Sequence, residues 1–134
     1  MIDQKFVPID IAFELKEIDF KEDCFGYYMK DYDKLVILFP QVASYDNMKV
    51  EYRDVSLAPL FQQAFGWFRE NHSLYVEPCR DGGMWSMVVR DFSNEDEESP
   101  QSDKYKVWTI VGDDYYRVEI HCLEKLIEIV KNKK

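Results

Sequence analysis

The longest unbroken apolar run in this 134-residue chain, Leu35-Val36-Ile37-Leu38-Phe39-Pro40, is the length of one β-strand. A membrane-spanning helix needs about 20 apolar residues in succession. Apolar residues elsewhere recur at helical or strand spacing among polar ones, so the core has to be built from amphipathic elements packed on one another. Residues 8–18 carry Ile11, Leu15 and Ile18 at helical spacing behind Pro8, which suits a first helical turn. Residues 58–71 place Leu60, Phe61, Ala64, Phe65 and Phe68 in one broad stripe, with Ser56 as the expected N-cap and Pro59 in the first turn. A third helix opens after Gly112-Asp113-Asp114, with either aspartate as cap. It carries the rows Val118, Cys122, Leu126, Ile129 and Leu123, Ile127, Val130.

Between these helices lie strand-like segments. Residues 24–29 are aromatic-rich and residues 35–39 β-branched, joined by a turn at 30–34 and closed by Pro40. Residues 41–55 are polar and read as a loop, with a short edge strand at 49–53. Residues 74–77 form a strand stopped by Pro78, and Asp81-Gly82 signals a hairpin into the strand 84–90. Residues 93–103 carry the run Asn94-Glu95-Asp96-Glu97-Glu98 and read as a flexible acidic loop. Residues 104–111 alternate Lys with apolar side chains, which predicts a strand with one wet face. The expected order is α-β-β-α-β-β-β-α. This is a single α+β domain over residues 1–134, with one mainly antiparallel sheet and helices packed on it.

With 46% hydrophobic residues the chain can support a core, and disorder is excluded for most of it. Its 26 acidic residues outnumber 17 Lys and Arg, a net charge of −9. Affinity for nucleic acid comes largely from counterions released by Lys and Arg, so non-specific DNA binding is not expected. Such acidity first reads as solubility. A second reading is docking onto a basic protein surface. Nine Tyr, nine Phe and three Trp lean toward the second, because Tyr and Trp are favoured at contact surfaces. Trp67 falls on the flank of the helical stripe, where packing is a stronger reading than partner contact. Met1-Ile2-Asp3-Gln4-Lys5 lacks the basic start of a signal peptide, so a cytoplasmic location without membrane attachment is expected.

Cys24, Cys79 and Cys122 are far apart and form no C-x-x-C pair, and His121 and Cys122 point about 100° apart on a helix. No metal site or cofactor is expected. The chain has no Gly-rich phosphate loop, no H-E-x-x-H and no G-x-S-x-G. His72 reads as a surface or cap residue rather than a base. An enzyme is therefore not expected. The α-β-β-β-α order of the second half is that of a double-stranded RNA-binding domain. Those domains hold phosphates through basic residues at the start of their last helix, whereas this one starts Asp113-Asp114-Tyr115-Tyr116-Arg117. An RNA-binding or regulatory module using that half is the alternative reading. A small hydrolase and a homo-oligomeric structural part are further classes.

Three segments carry a resemblance: residues 6–17 followed by Cys24-Phe25-Gly26-Tyr27-Tyr28, residues 57–70, and residues 122–131. In order and spacing they resemble a family of small proteins encoded in phages and integrated elements of Bacteroidota-type bacteria. Members commonly lead into the last helix with tyrosine–acidic–acidic–alanine. Here Tyr116-Arg117-Val118-Glu119-Ile120-His121 stands instead, and the acidic insert at 94–98 is a further departure. The resemblance implies an accessory protein of a mobile element that binds and inhibits a host defence protein, with an RNA-guided CRISPR nuclease and its bound guide RNA as target. Partner-binding residues expected on that reading are Trp67, Trp85, Tyr115 and Tyr116 where exposed, with Glu95, Asp96, Glu97 and Glu98 facing a basic channel.

Overall fold

The computed structural model describes residues 2–47, 54–93 and 106–133. The expected edge strand at 49–53 and the acidic run at 94–98 lie outside the described residues. The chain forms two compact units, Met1–Gln63 and Ala64–Lys134. Both are α+β in construction, as expected, but two three-stranded antiparallel sheets form where one sheet was expected.

In the first unit a 3-10 turn, Ile2–Lys5, leads to α1, Ile9–Glu17. Pro8 precedes α1 with extended backbone, and Ile11, Ala12 and Leu15 face the core. The helix ends in a paired backbone lock. Asp19 takes a left-handed φ of 74°, and its N–H and that of Phe20 donate back to Lys16 and Leu15. Buried Phe20 seals this end. β1, Gly26–Met29, and β2, Tyr32–Ile37, make an antiparallel hairpin with a bulge at Tyr28/Met29. A Cβ on Gly26 would meet the Val36 carbonyl oxygen at 2.8 Å, so the two backbones approach through the missing side chain.

β3, Val55–Leu57, pairs with β1 on its other side, giving the order β2-β1-β3. Ser56 is not the helix N-cap expected of it. Ser56 is a fully buried strand residue whose hydroxyl donates to the Leu57 carbonyl. Three buried residues are too few to show either periodicity, and so the strand was not visible in sequence. α2 consequently begins three residues later than expected, at Phe61, and runs to His72. The boundary between the units falls within it.

In the second unit β4, Leu74–Asp81, β5, Met84–Asp91, and β6, Lys106–Gly112, form a meander in that order. Gly82, with φ 63°, and Gly83 make the two-residue turn from β4 to β5. β4 runs through Pro78 instead of stopping there. It is an edge strand, where an imine nitrogen need not donate to a neighbour. α3, Tyr115–Asn132, packs on β5 and β6, and Val118, Cys122, Leu123, Leu126 and Ile127 are among its buried residues. Asp114 is its cap, accepting from the Tyr116 N–H at 3.1 Å.

Cross-strand pairing assigns the two faces of this sheet. Met87 and Val89 of β5 are buried on the face against which α3 packs, and Leu74 of β4 is buried on that same face. Lys106, Trp108, Ile110 and Gly112 share their face. The Trp108 ring lies under the Lys125 ammonium of α3, 5.6 Å from its centroid. A Cβ on Gly112 would meet Val118 Cγ2 at 2.8 Å. The wet face of β6 is therefore the one carrying Val107, Thr109 and Val111, not the one carrying lysine. Trp108 and Ile110 offer α3 more apolar area, and Lys106 reaches solvent from the strand end.

Candidate interaction surface

Side chains on the uncovered face of the second sheet come from alternate positions of three strands: Tyr75, Glu77, Cys79 and Asp81; Met84, Ser86, Val88 and Arg90; Val107, Thr109 and Val111. Large hydrophobic side chains left exposed among the described residues are Ile37, Phe39, Val42, Tyr75, Met84, Val107 and Val111. The last four share this face, at 45%, 44%, 48% and 56% exposure. Single exposed apolar residues are ordinary, whereas several on one sheet face make a candidate contact surface. Arg90 and Glu77 cross this face as an ion pair at 2.6 Å, so its one arginine is neutralised and Asp81 leaves it acidic. The other exposed apolar group belongs to the first unit, where Phe39 meets Phe25 edge-on at 5.1 Å.

Of the residues expected to bind a partner, the structure brings two together. At the hairpin end of the covered face, the Trp85 ring lies 4.7 Å from that of Tyr115, and the Arg80 guanidinium lies 5.0 Å over Trp85. Arg80 and Trp85 are direct cross-strand partners, and Tyr115 arrives as the first residue of α3. Burial, then the nearby Glu119 and Cys122, push the Tyr115 phenol above its ordinary pKa. The two half-buried rings are tilted 59° to one another and lie beside a cation. Tyr116 is also half-buried, with its N–H committed to Asp114. Trp67 is buried, at 6% exposure, against Phe68 and His72. It fails the condition of exposure and belongs to the core. Glu95, Asp96, Glu97 and Glu98 lie outside the described residues.

Several chemistry-bearing side chains are occupied structurally, whereas Cys79 is free and exposed on the open face. Burial, then the charges of Glu22 and Asp23, push the Cys24 thiol up to about 12 against a weaker opposing hydrogen bond from Gln63. Burial and Glu119 do the same to Cys122. Neither is a thiolate nucleophile near neutral pH. Ser93, Lys133 and Asp91 form a triangle. The Ser93 hydroxyl donates to Asp91 Oδ1 at 2.6 Å, and Lys133 Nζ donates to Asp91 Oδ2 at 2.8 Å and to Ser93 Oγ at 2.6 Å. Serine and lysine side by side suggest a nucleophile and its base. Here, however, the serine proton goes to the carboxylate and the ammonium is spent as a donor, so the group ties the end of α3 to the end of β5. Among the described residues, no group of three or more His, Cys, Asp or Glu side chains could hold a metal ion. No described helix is long and apolar enough to cross a membrane.

The open face was missed in sequence. Its signal was the alternation Val107, Thr109, Val111 in β6, read from the lysine side. Comparison with protein-family models, with curated proteins and with solved structures returned no match for this chain.

Proposed function

We propose that this protein is a non-enzymatic binding protein that docks onto another protein through the open face of its second sheet. The observation that carries the reading is the placement of Tyr75, Met84, Val107 and Val111 on one uncovered face. A net charge of −9 adds a preference for a partner whose apolar patch is rimmed by Lys and Arg. A nucleic-acid channel of a nuclease supplies the basic part of that chemistry. The resemblance to mobile-element proteins suggests the finer reading, inhibition of a host RNA-guided CRISPR nuclease. RNA binding by the second unit has its element order in its favour, α2-β4-β5-β6-α3. Against it, Arg117 at the start of α3 is paired with Asp114 at 3.8 Å.

The test is inhibition of purified CRISPR nucleases by the protein and by two variants, Tyr75→Ala and Met84→Glu, with binding measured in parallel. Both positions are exposed, so the fold is expected to survive, which circular dichroism checks. A true anchor costs about 2 kcal/mol or more when removed, a loss of about thirtyfold in affinity. Inhibition that neither variant weakens would reject the open face as the docking surface. Absence of inhibition across nuclease types would reject the finer reading.

A further inference from the structure

We propose that the free edge of β6 pairs with the same edge of a second copy of this chain, joining two three-stranded sheets into one of six. The edges of the two sheets are treated differently. β3 is covered by side chains: Lys16 Nζ donates to the Val55 carbonyl at 2.6 Å, and Tyr45 Oη accepts from the Leu57 N–H at 3.0 Å. β2 carries the exposed Lys34, and the outer edge of β4 is interrupted by Pro78. Charges, proline and side-chain covers are the usual means of blunting an edge. β6 has none of these within its seven residues beyond Lys106 at its start. Among the described residues, no backbone group pairs with its outer edge.

The strand Lys106-Val107-Trp108-Thr109-Ile110-Val111-Gly112 is self-complementary when turned on itself. A two-fold axis through its midpoint, Thr109, sets each residue opposite one on the same face of the sheet. On the open face Val107 meets Val111 of the second copy, and Thr109 meets Thr109. On the covered face Trp108 meets Ile110, completing the burial of two half-buried side chains. Valine pairs, threonine pairs and aromatic–β-branched pairs are all favourable cross-strand neighbours. Charge agrees. Lys106 comes opposite Gly112, next to the exposed Asp113 and Asp114 of the other copy, and the two lysines stay apart. The strand is basic at one end and acidic just past the other, so antiparallel pairing joins opposite signs. The pairing uses the edge of the strand and is independent of the docking reading, but it would place both open faces on one side of a six-stranded sheet.

Register-specific cross-linking tests it in a Cys79→Ser background. Thr109→Cys should form a disulfide-linked dimer under mild oxidation, since residue 109 lies on the axis. Val107→Cys or Val111→Cys alone should not, whereas a mixture of the two should. Sedimentation of the unmodified protein over rising concentration should show mass moving toward twice that of the chain. Val107→Lys/Val111→Lys places like charges opposite and should weaken that dimer by about tenfold, while Val107→Glu/Val111→Lys should retain it. A protein that stays monomeric at every concentration overturns the proposal. So does Val107→Cys cross-linking to itself as readily as Thr109→Cys.

Discussion

Asp91 is the residue at which burial and charge contend most directly. Burial alone would raise its carboxyl pKa. Hydrogen bonds from Lys133 and from the Ser93 side chain and backbone, with the charge of Lys133, reverse this and hold it below the ordinary value. A carboxyl depressed in the folded state stabilises the fold above its unfolded pKa of about 4, and that contribution is lost as pH falls through the folded value. Asp91→Asn should therefore lower stability by about 1–2 kcal/mol at neutral pH. It should also flatten the acid side of the stability profile, read as urea midpoints from pH 7 downward. Equal slopes in both proteins would show that the triangle contributes no linkage. None of this was visible in sequence. Asp91, Ser93 and Lys133 have unremarkable neighbours, and forty residues separate the serine from the lysine.

At the scale of elements, Gly112 decides how closely α3 can lie on the sheet. A methyl group there would stand 2.8 Å from Val118 Cγ2, and valine has little freedom to turn aside. Gly112→Ala should cost about 1–3 kcal/mol through overpacking, measured by denaturant unfolding. Gly83→Ala, in open space, serves as control. An unchanged midpoint for Gly112→Ala would mean that α3 rides higher than described. Helices were well legible in sequence, because 3.6-residue periodicity over nine or more residues is a strong signal. α1 and α3 fall where Ile11/Leu15 and Val118/Cys122/Leu126 place them. Short strands were less so. β3 hid between a polar stretch and a proline, and β4 continued past Pro78 because an edge strand tolerates the missing donor.

For the whole molecule, charge is the property with the widest reach. With 26 acids against 17 bases, the protein should show no retention of double-stranded RNA at physiological salt in a filter-binding assay. The one arginine in the first turn of α3 is already paired with Asp114. Direct RNA binding with a steep salt slope would overturn this and move the function to the second unit's α-β-β-β-α order.

Amino-acid order by itself determined the class of fold, the helices, the Asp81-Gly82 hairpin and the balance of charge, since each depends on neighbours within a few residues. Period-two alternation in β6 likewise determined which side chains share a face. Only the tertiary structure decided which face is covered. That choice depends on where α3 lands, and α3 covers Trp108 and Ile110, carrying Lys106 with them and leaving Val107 and Val111 in the open. The candidate surface follows from that packing, a long-range competition for buried area that no local pattern records.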